Sequence, residues 1–237
     1  MPIDDLCVPI DPVEQHSRQV HQTNVKNETI HIFIYYQTSI ILFYNYFKEG
    51  DMNMSKPELY VSLVVGPNCD MESYALRSTL EYFGARVTTH WIGRPNDLLD
   101  VLSGVDRDEK MDYLILNFHG DEGRFCMPEL GEDVYENDEP RGEFFDEQDV
   151  MRYSNLENVK VIAAGCTLGD ERLAKAFLKS GCHSYIGPDD YIDGNANLMF
   201  VMKFMYEIMN NHKSQEEAFE IAKAIDTETS MYQLYFS

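Results

Sequence analysis

The chain has 237 residues, of which 44% are hydrophobic, and its 41 acidic and 19 basic side chains give a formal net charge of -22. This length and composition suffice for one sizeable core, whereas the charge argues against nucleic acid and anionic membranes as partners, since both select positive charge. The five cysteines are scattered and include no Cys-x-x-Cys pair, which favours reduced thiols and a cytoplasmic location over a disulfide framework.

The first fifty or so residues differ in composition from the rest. Residues 1–28 are polar and aperiodic, whereas residues 29–47 are nearly all β-branched or aromatic. The second segment is close to the roughly 20 residues of a membrane span, but polar side chains such as His31, Gln37 and Asn45 interrupt it. A secretory signal is disfavoured because the preceding segment is acidic and no small-residue cleavage site follows.

Two interpretations of this segment stay open. It is either a membrane anchor or not part of the native protein, in which case translation starts at Met52 or Met54. The second is favoured, because residues 48–51 fit a translated ribosome-binding stretch and the composition changes abruptly. We therefore divide the chain into an N-terminal extension, residues 1–53, and a folded domain, residues 54–237, and expect membrane association only if residues 29–47 are a real anchor.

Apolar runs and helical patterns alternate through the folded domain. The pattern predicts five strands, over Glu58–Pro67, Arg86–Ile92, Asp112–Gly120, Val159–Cys166 and Cys182–Gly187. Helices are predicted from an N-cap at Asp70 to Gly84, from Pro95 to Val105, over Asp170–Lys179 and Asn197–Asn210, and from the capping box at Ser214 to Ile225. Such alternation is typical of a three-layer αβα sandwich with a mostly parallel sheet.

An acidic insertion, residues 121–149, interrupts this alternation. It contains twelve acids and only two bases, Arg124 and Arg141. The sequence predicts a small hairpin between Gly123–Leu130 and the region around Gly142–Phe145, followed by a short helix over Asp146–Tyr153. Because long insertions are either functional or solvated loops, and this one begins directly after Gly120, we expect it to overhang the same sheet edge. Most of its acids are expected to be solvated.

His119 and Cys166 are the candidate catalytic residues. Each ends an apolar strand, and the carboxyl ends of parallel strands form the ligand-binding edge of a sheet. A cysteine attacks acyl carbonyls as a thiolate, and a neighbouring histidine activates it and then protonates the leaving amine. Gly120 allows a substrate backbone to come close, and the amides of Gly120 and Cys166 are candidate oxyanion donors.

These segments resemble the caspase–hemoglobinase fold of cysteine peptidases, which includes caspases, legumains, gingipains, clostripain and CHAT-type bacterial proteins. Those families have one apolar strand ending in His-Gly and another ending in a small residue and cysteine, as in Leu114–Gly120 and Val161–Cys166 here. His119 and Cys166 are 47 positions apart, close to the roughly 50 residues of caspases. Residues 200–222 also resemble the paired helices that close bacterial members.

The resemblance implies a thiol protease that acts on a peptide or protein without a cofactor or metal. Cys166 would be its nucleophile, His119 its general base and acid, and Gly120 an oxyanion donor. The caspase pentapeptide around the cysteine is absent, since residues 164–168 read Ala-Gly-Cys-Thr-Leu. Ala164 also stands where several basic-specific relatives carry an acid, so specificity does not carry over.

Three acids follow the fifth strand, where a specificity pocket would form. If Asp189, Asp190 and Asp193 line it, the residue before the scissile bond is Lys or Arg; the alternative is a solvated turn. A caspase-like preference for acidic residues is disfavoured, because only Arg94 and Arg124 lie near predicted strand ends.

Three other functional classes remain open. One is a catalytically inactive caspase-like binding or regulatory module that uses the acidic insertion as its contact surface. A metal site built from His119, Cys166, Cys126 or the Cys182-His183 pair is disfavoured, because the spacings match no short zinc motif. A flavodoxin-like binder is disfavoured because no glycine-rich phosphate loop follows the first strand.

Overall fold

A computed structural model describes residues 59–136 and 139–237. Its strands are β1 Tyr60–Val65, β2 Arg86–Trp91, β3 Tyr113–Asn117, β4 Gly120–Asp121, β5 Arg124–Cys126, β6 Phe144–Phe145, β7 Lys160–Ala164, β8 Ser184–Pro188 and β9 Tyr232–Phe236. Its helices are α1 Asp70–Tyr82, α2 Pro95–Ser103, α3 Glu147–Tyr153, α4 Glu171–Lys179, α5 Gly194–Met209 and α6 Gln215–Lys223, and a 3-10 turn covers Thr229–Met231.

The main sheet has six strands in the order β2-β1-β3-β7-β8-β9. The first five are parallel, as the alternating pattern predicted, and β9 is antiparallel to β8. Successive strand residues face opposite layers, so Leu63 packs with α1, α5 and α6, whereas Val64 packs with α2, α3 and α4. Burial on both faces explains the continuous apolar runs and confirms the three-layer αβα architecture.

Strand β9 was missed by the sequence analysis. Tyr232 is fully buried, its ring stacks on Phe200 with centroids 3.5 Å apart, and Leu234 pairs with Ile186. An antiparallel edge strand needs no crossover helix. This short segment therefore lacked the strand–helix alternation that identified the others.

Three predicted helix details were wrong. Gly104 ends α2 in the left-handed region, with φ of 96°, so Val105 lies beyond the helix and is 78% exposed. Ile225 lies past the end of α6 and is 39% exposed rather than buried. Asp70 is the first residue of α1, and Cys69 precedes it as the N-cap without a capping side-chain hydrogen bond.

The acidic insertion contributes to the core. Strands β4, β5 and β6 form a small antiparallel sheet in which Phe125 pairs with Phe145, as the predicted hairpin required. Both rings are buried, and Asp146 caps the predicted helix α3. Only part of the insertion is therefore a solvated loop.

The predictions for the N-terminal extension fall on residues outside the described part of the chain, as does the boundary at residue 54. Within residues 59–136 and 139–237, no helix combines the length and the hydropathy that crossing a bilayer requires.

A charge pair anchors the insertion beside the start of α2. Arg94 donates from Nη2 and Nε to the two carboxylate oxygens of Glu139, at 2.6 and 2.9 Å. The Glu139 side chain is fully buried and also accepts from the backbone N–H groups of Asn96 and Glu136. These hydrogen bonds, led by that from Arg94, lower the pKa of Glu139 to about 2.

We predict that Glu139→Gln destabilises the fold at neutral pH. The depressed pKa means that the ionised carboxylate stabilises the folded state above its ordinary value of about 4.5, and that this contribution is lost as pH falls towards about 2. Thermal unfolding of wild type and variant should therefore differ most near neutral pH and converge in acid.

Glu132→Gln is the matched control. Glu132 pairs with Arg141, but its side chain is 87% exposed, and exposed pairs contribute little. Equal effects of the two substitutions at neutral pH would contradict the anchoring role of Glu139.

Candidate active site

Adjacent parallel strands bring His119 and Cys166 to the same sheet edge. Asn117 is in register with Ala164 at the ends of β3 and β7, and each candidate residue follows two positions later. The Phe118 N–H also donates to the carbonyl of Ala164 at 3.1 Å, so the segments remain in contact beyond the strands.

Two glycines permit this close approach. A Cβ on Gly120 would fall well inside van der Waals distance of the Cys166 carbonyl oxygen, and one on Gly165 would do the same with the carbonyl oxygen of Phe118. From the sequence, Gly120 was expected to let a substrate backbone come close. The structure shows that it is also needed for packing against the cysteine segment.

His119 and Cys166 line one cavity between α1 and α5, with a volume of about 160 Å³. Its walls are largely apolar, with Leu76, Ile192 and Leu198 among them. Its polar lining groups include Glu72, Asn117 and Asn197. A cleft with apolar walls and a few convergent polar groups at the carboxyl edge of a parallel sheet has the character of a ligand site.

The Cys166 thiol is half-buried and His119 is exposed. Cys166 Sγ donates to the carbonyl of Ile192 at 3.5 Å. No hydrogen bond within the described residues joins Cys166 Sγ to the His119 ring. Catalytic hydrogen bonds are often long in unliganded enzymes and tighten when substrate binds, so the catalytic dyad stays a prediction.

Cys69 also lines the cavity but is a poor nucleophile. Burial, followed by the negative charge of Glu72, raises the pKa of its thiol to about 12. A thiol with this pKa stays protonated at neutral pH, and only thiolates attack carbonyls readily.

The amides of Gly120 and Cys166, the predicted oxyanion donors, donate to no acceptor among the described residues. The Cys126 N–H donates to the His119 carbonyl at 3.0 Å, and Gly120 pairs with Phe125. This pattern makes Gly120 and Phe125 a non-hydrogen-bonded pair of the antiparallel ladder, so the Gly120 N–H does not donate across it. The Cys166 N–H likewise has no acceptor in the described part of the protein.

The acids predicted after the fifth strand lie outside the cavity lining. Asp189 accepts from Gln233 Nε2 at 2.7 Å, Asp190 accepts from the Tyr191 N–H at 2.7 Å, and Asp193 caps α5. Their role in binding substrate therefore stays a prediction.

Glu72 is the one acid among the described lining residues, and the sequence analysis did not select it. It lies in the first turn of α1, where an acidic side chain also interacts favourably with the helix dipole. One feature of the sequence could have identified Glu72: it lies in a helix that directly follows a strand, and therefore near the ligand-binding edge of the sheet.

The residues of the alternative metal site do not all come together. Cys182 and His183 precede β8 and so lie at the amino edge of the sheet, whereas Cys166 lies at the carboxyl edge. Across residues 59–136 and 139–237, no three His, Cys, Asp or Glu side chains converge in a way that could hold a metal ion.

We predict that Gly120→Ala separates the segments that carry His119 and Cys166. The added methyl group clashes with backbone, and overpacking of this kind typically costs about 1–3 kcal/mol. Denaturant unfolding should show the loss of stability.

Gly93→Ala is the control, because its new Cβ would meet nothing closer than Asp97 Oδ2 at 3.6 Å. Equal stability of the two variants would contradict the close approach.

No protein-family model matches the chain, and no curated protein matches its sequence. Among solved structures, it is similar to the Arg-specific cysteine proteinase gingipain R, with a TM-score of 0.53 and 10% identity over 79% of this chain and 48% of that one. It is also similar to the complex of Porphyromonas gingivalis RgpB pro- and mature domains, with a TM-score of 0.52 and 10% identity over 76% and 47%. The chain thus spans about half the length of these structures. The likeness confirms the predicted caspase-like fold, whereas the relationship to CHAT-type proteins stays a prediction.

Proposed function

We propose that this protein is a cysteine endopeptidase that uses Cys166 as nucleophile and His119 as general base and acid. The observation that carries the proposal is that both side chains line one cavity at the ends of adjacent parallel strands. The caspase-like fold, which the chain shares with a cysteine proteinase, supports it.

The proposed reaction begins when His119 removes the proton from Cys166 Sγ. The thiolate attacks the substrate carbonyl carbon, and the resulting oxyanion accepts hydrogen bonds from the amides of Gly120 and Cys166. The His119 imidazolium then protonates the leaving amine, which leaves a thioester on Cys166. His119 next deprotonates a water molecule that attacks the thioester, and the proton returns to the thiol as the carboxylic acid product departs.

Glu72 is the proposed specificity residue, in place of Asp189 and Asp190. A Lys or Arg side chain has an apolar stem and a cationic tip, which match the apolar walls and the single carboxylate of the cavity. The net charge of -22 also attracts basic peptides. We therefore propose cleavage after basic residues.

Cys166→Ala should abolish cleavage of peptide reporters, and His119→Ala should greatly reduce it. Loss of His119 alone should lower kcat/KM by about 10²- to 10⁴-fold, the usual contribution of general acid–base catalysis. The matched controls are Cys126→Ala, which removes a neighbouring half-buried thiol, and His183→Ala at the opposite sheet edge.

The same experiment tests the alternative. If the wild-type chain cleaves no reporter, and a chloromethyl ketone peptide also fails to label Cys166, the two results together would indicate a catalytically inactive module. The acidic insertion is the proposed contact surface of that module. The hydrogen bond from Cys166 to Ile192, rather than to His119, is the observation that favours this alternative.

Glu72→Gln should lower kcat/KM for Arg and Lys reporters by about 10- to 100-fold, because a partly buried cation loses its counter-charge, and should leave a neutral reporter nearly unchanged. Glu81→Gln, which removes an exposed acid of α1, should have no effect. A selective loss in Asp189→Asn or Asp190→Asn, with Glu72→Gln unaffected, would assign specificity to the loop after β8 instead.

A further inference from the structure

The residue that follows Cys166 has an unusual backbone conformation. Thr167 has φ of +59°, in the left-handed region that β-branched residues rarely adopt. Such a conformation persists only where surrounding contacts enforce it, and it is often found at functional sites. The contacts of Thr167 therefore indicate what the conformation achieves.

Thr167 joins three segments. Its N–H donates to the carbonyl of Asp190 at 3.0 Å, and its Oγ1 accepts from the Gly123 N–H at 3.0 Å. Gly123 lies at the tip of the β4–β5 hairpin, which begins with Gly120. The Thr167 hydroxyl thus connects the segment that carries the Gly120 amide with the segment that carries the Cys166 thiol.

Two tyrosine hydroxyls hold the turn after Thr167 by hydrogen bonds to its backbone carbonyls. Tyr185 donates to the carbonyl of Leu168 at 2.6 Å, and Tyr235 donates to that of Gly169 at 2.8 Å. The Gly169 N–H donates to the carbonyl of Pro188 at 2.6 Å. With the turn fixed to β8 and β9 in this way, the hydroxyl of Thr167 helps to fix where the hairpin lies relative to Cys166, together with the Tyr191 hydroxyl, which donates to Asp121 Oδ1 at 2.6 Å.

We propose that Thr167 is a positioning residue that aligns the Gly120 amide with the Cys166 thiol. The inference rests on the proposed peptidase function, in which the oxyanion must reach amides from two separate segments. A displacement of about 1 Å can cost as much as about 100-fold in rate. Thr167 is not among the residues that line the cavity, and it acts only through Gly123 and the backbone of Cys166.

Thr167→Val is the sharpest test, because it keeps the size and branching of the side chain and removes only the acceptor for Gly123. Its kcat should fall by about 10- to 100-fold, with KM within about twofold, as expected when an interaction made only in the transition state is lost. Thr167→Ser keeps the hydroxyl and should stay close to wild-type activity.

Alkylation by iodoacetamide separates positioning from general damage. This reagent needs the thiolate but no oxyanion hole, so Cys166 in Thr167→Val should react at the wild-type rate while peptide turnover falls. If Thr167→Val does not fold, Thr167→Gly replaces it, since glycine adopts the left-handed conformation freely and also lacks the hydroxyl.

Wild-type turnover in Thr167→Val, or a parallel loss of turnover, alkylation and thermal stability, would overturn the inference and leave the proposed function intact. A failure of the proposed function has a different signature, since the wild-type chain would then cleave no basic reporter.

Discussion

The site depends on the pairing of two parallel strands, β3 and β7. Their register places Asn117 opposite Ala164, and from that point each segment needs only two residues to deliver its side chain to the cavity. Glycine at positions 120 and 165 then allows the backbones to approach more closely than any side chain would permit. Every other feature of the site is positioned relative to this pair of segments.

The cavity walls are tied to the same strands by buried polar contacts. Asn117 donates to the carbonyl of Cys69 at 3.2 Å and to Ser73 Oγ at 2.8 Å, which holds the start of α1 and therefore Glu72. On the other side, the hydroxyl of Tyr232 donates to Asn197 Oδ1. Because unpaired buried amides are costly, the Asn117 contacts favour one position of α1 relative to β3, and the Tyr232 contact ties α5 to β9.

The acidic insertion has two physical roles that its composition does not reveal. The β4–β5 hairpin begins at Gly120, just before the insertion, and contacts the turn after Cys166 through Gly123, so the insertion borders the candidate site. Its later part is held by Glu139 against Arg94 and the start of α2. An acid-rich segment thus combines solvated charges with one fully buried carboxylate, whose burial is compensated by charge-assisted hydrogen bonds.

The parts of the protein that local patterns encode could be predicted from the amino-acid sequence alone. Continuous apolar runs identify strands buried on both faces. The last residues of two of these runs, His119 and Cys166, were correctly placed at the carboxyl edge of the sheet. Turn and capping residues such as Pro95 and Ser214 marked helix starts correctly. These signals depend on residues close together in the chain, so they are readable without a fold.

Which acid faces the cavity follows from how the helices pack on the sheet, and not from the local sequence pattern. Glu72 and Asp190 both lie in segments that follow strands at the carboxyl edge, but the rotation of α1 and its spacing from α5 place only Glu72 in the lining. The edge strand β9 and the junction at Thr167 likewise arise from contacts between residues far apart in the chain. Such contacts leave no local periodicity, because each depends on how separate elements pack rather than on the pattern within any one of them.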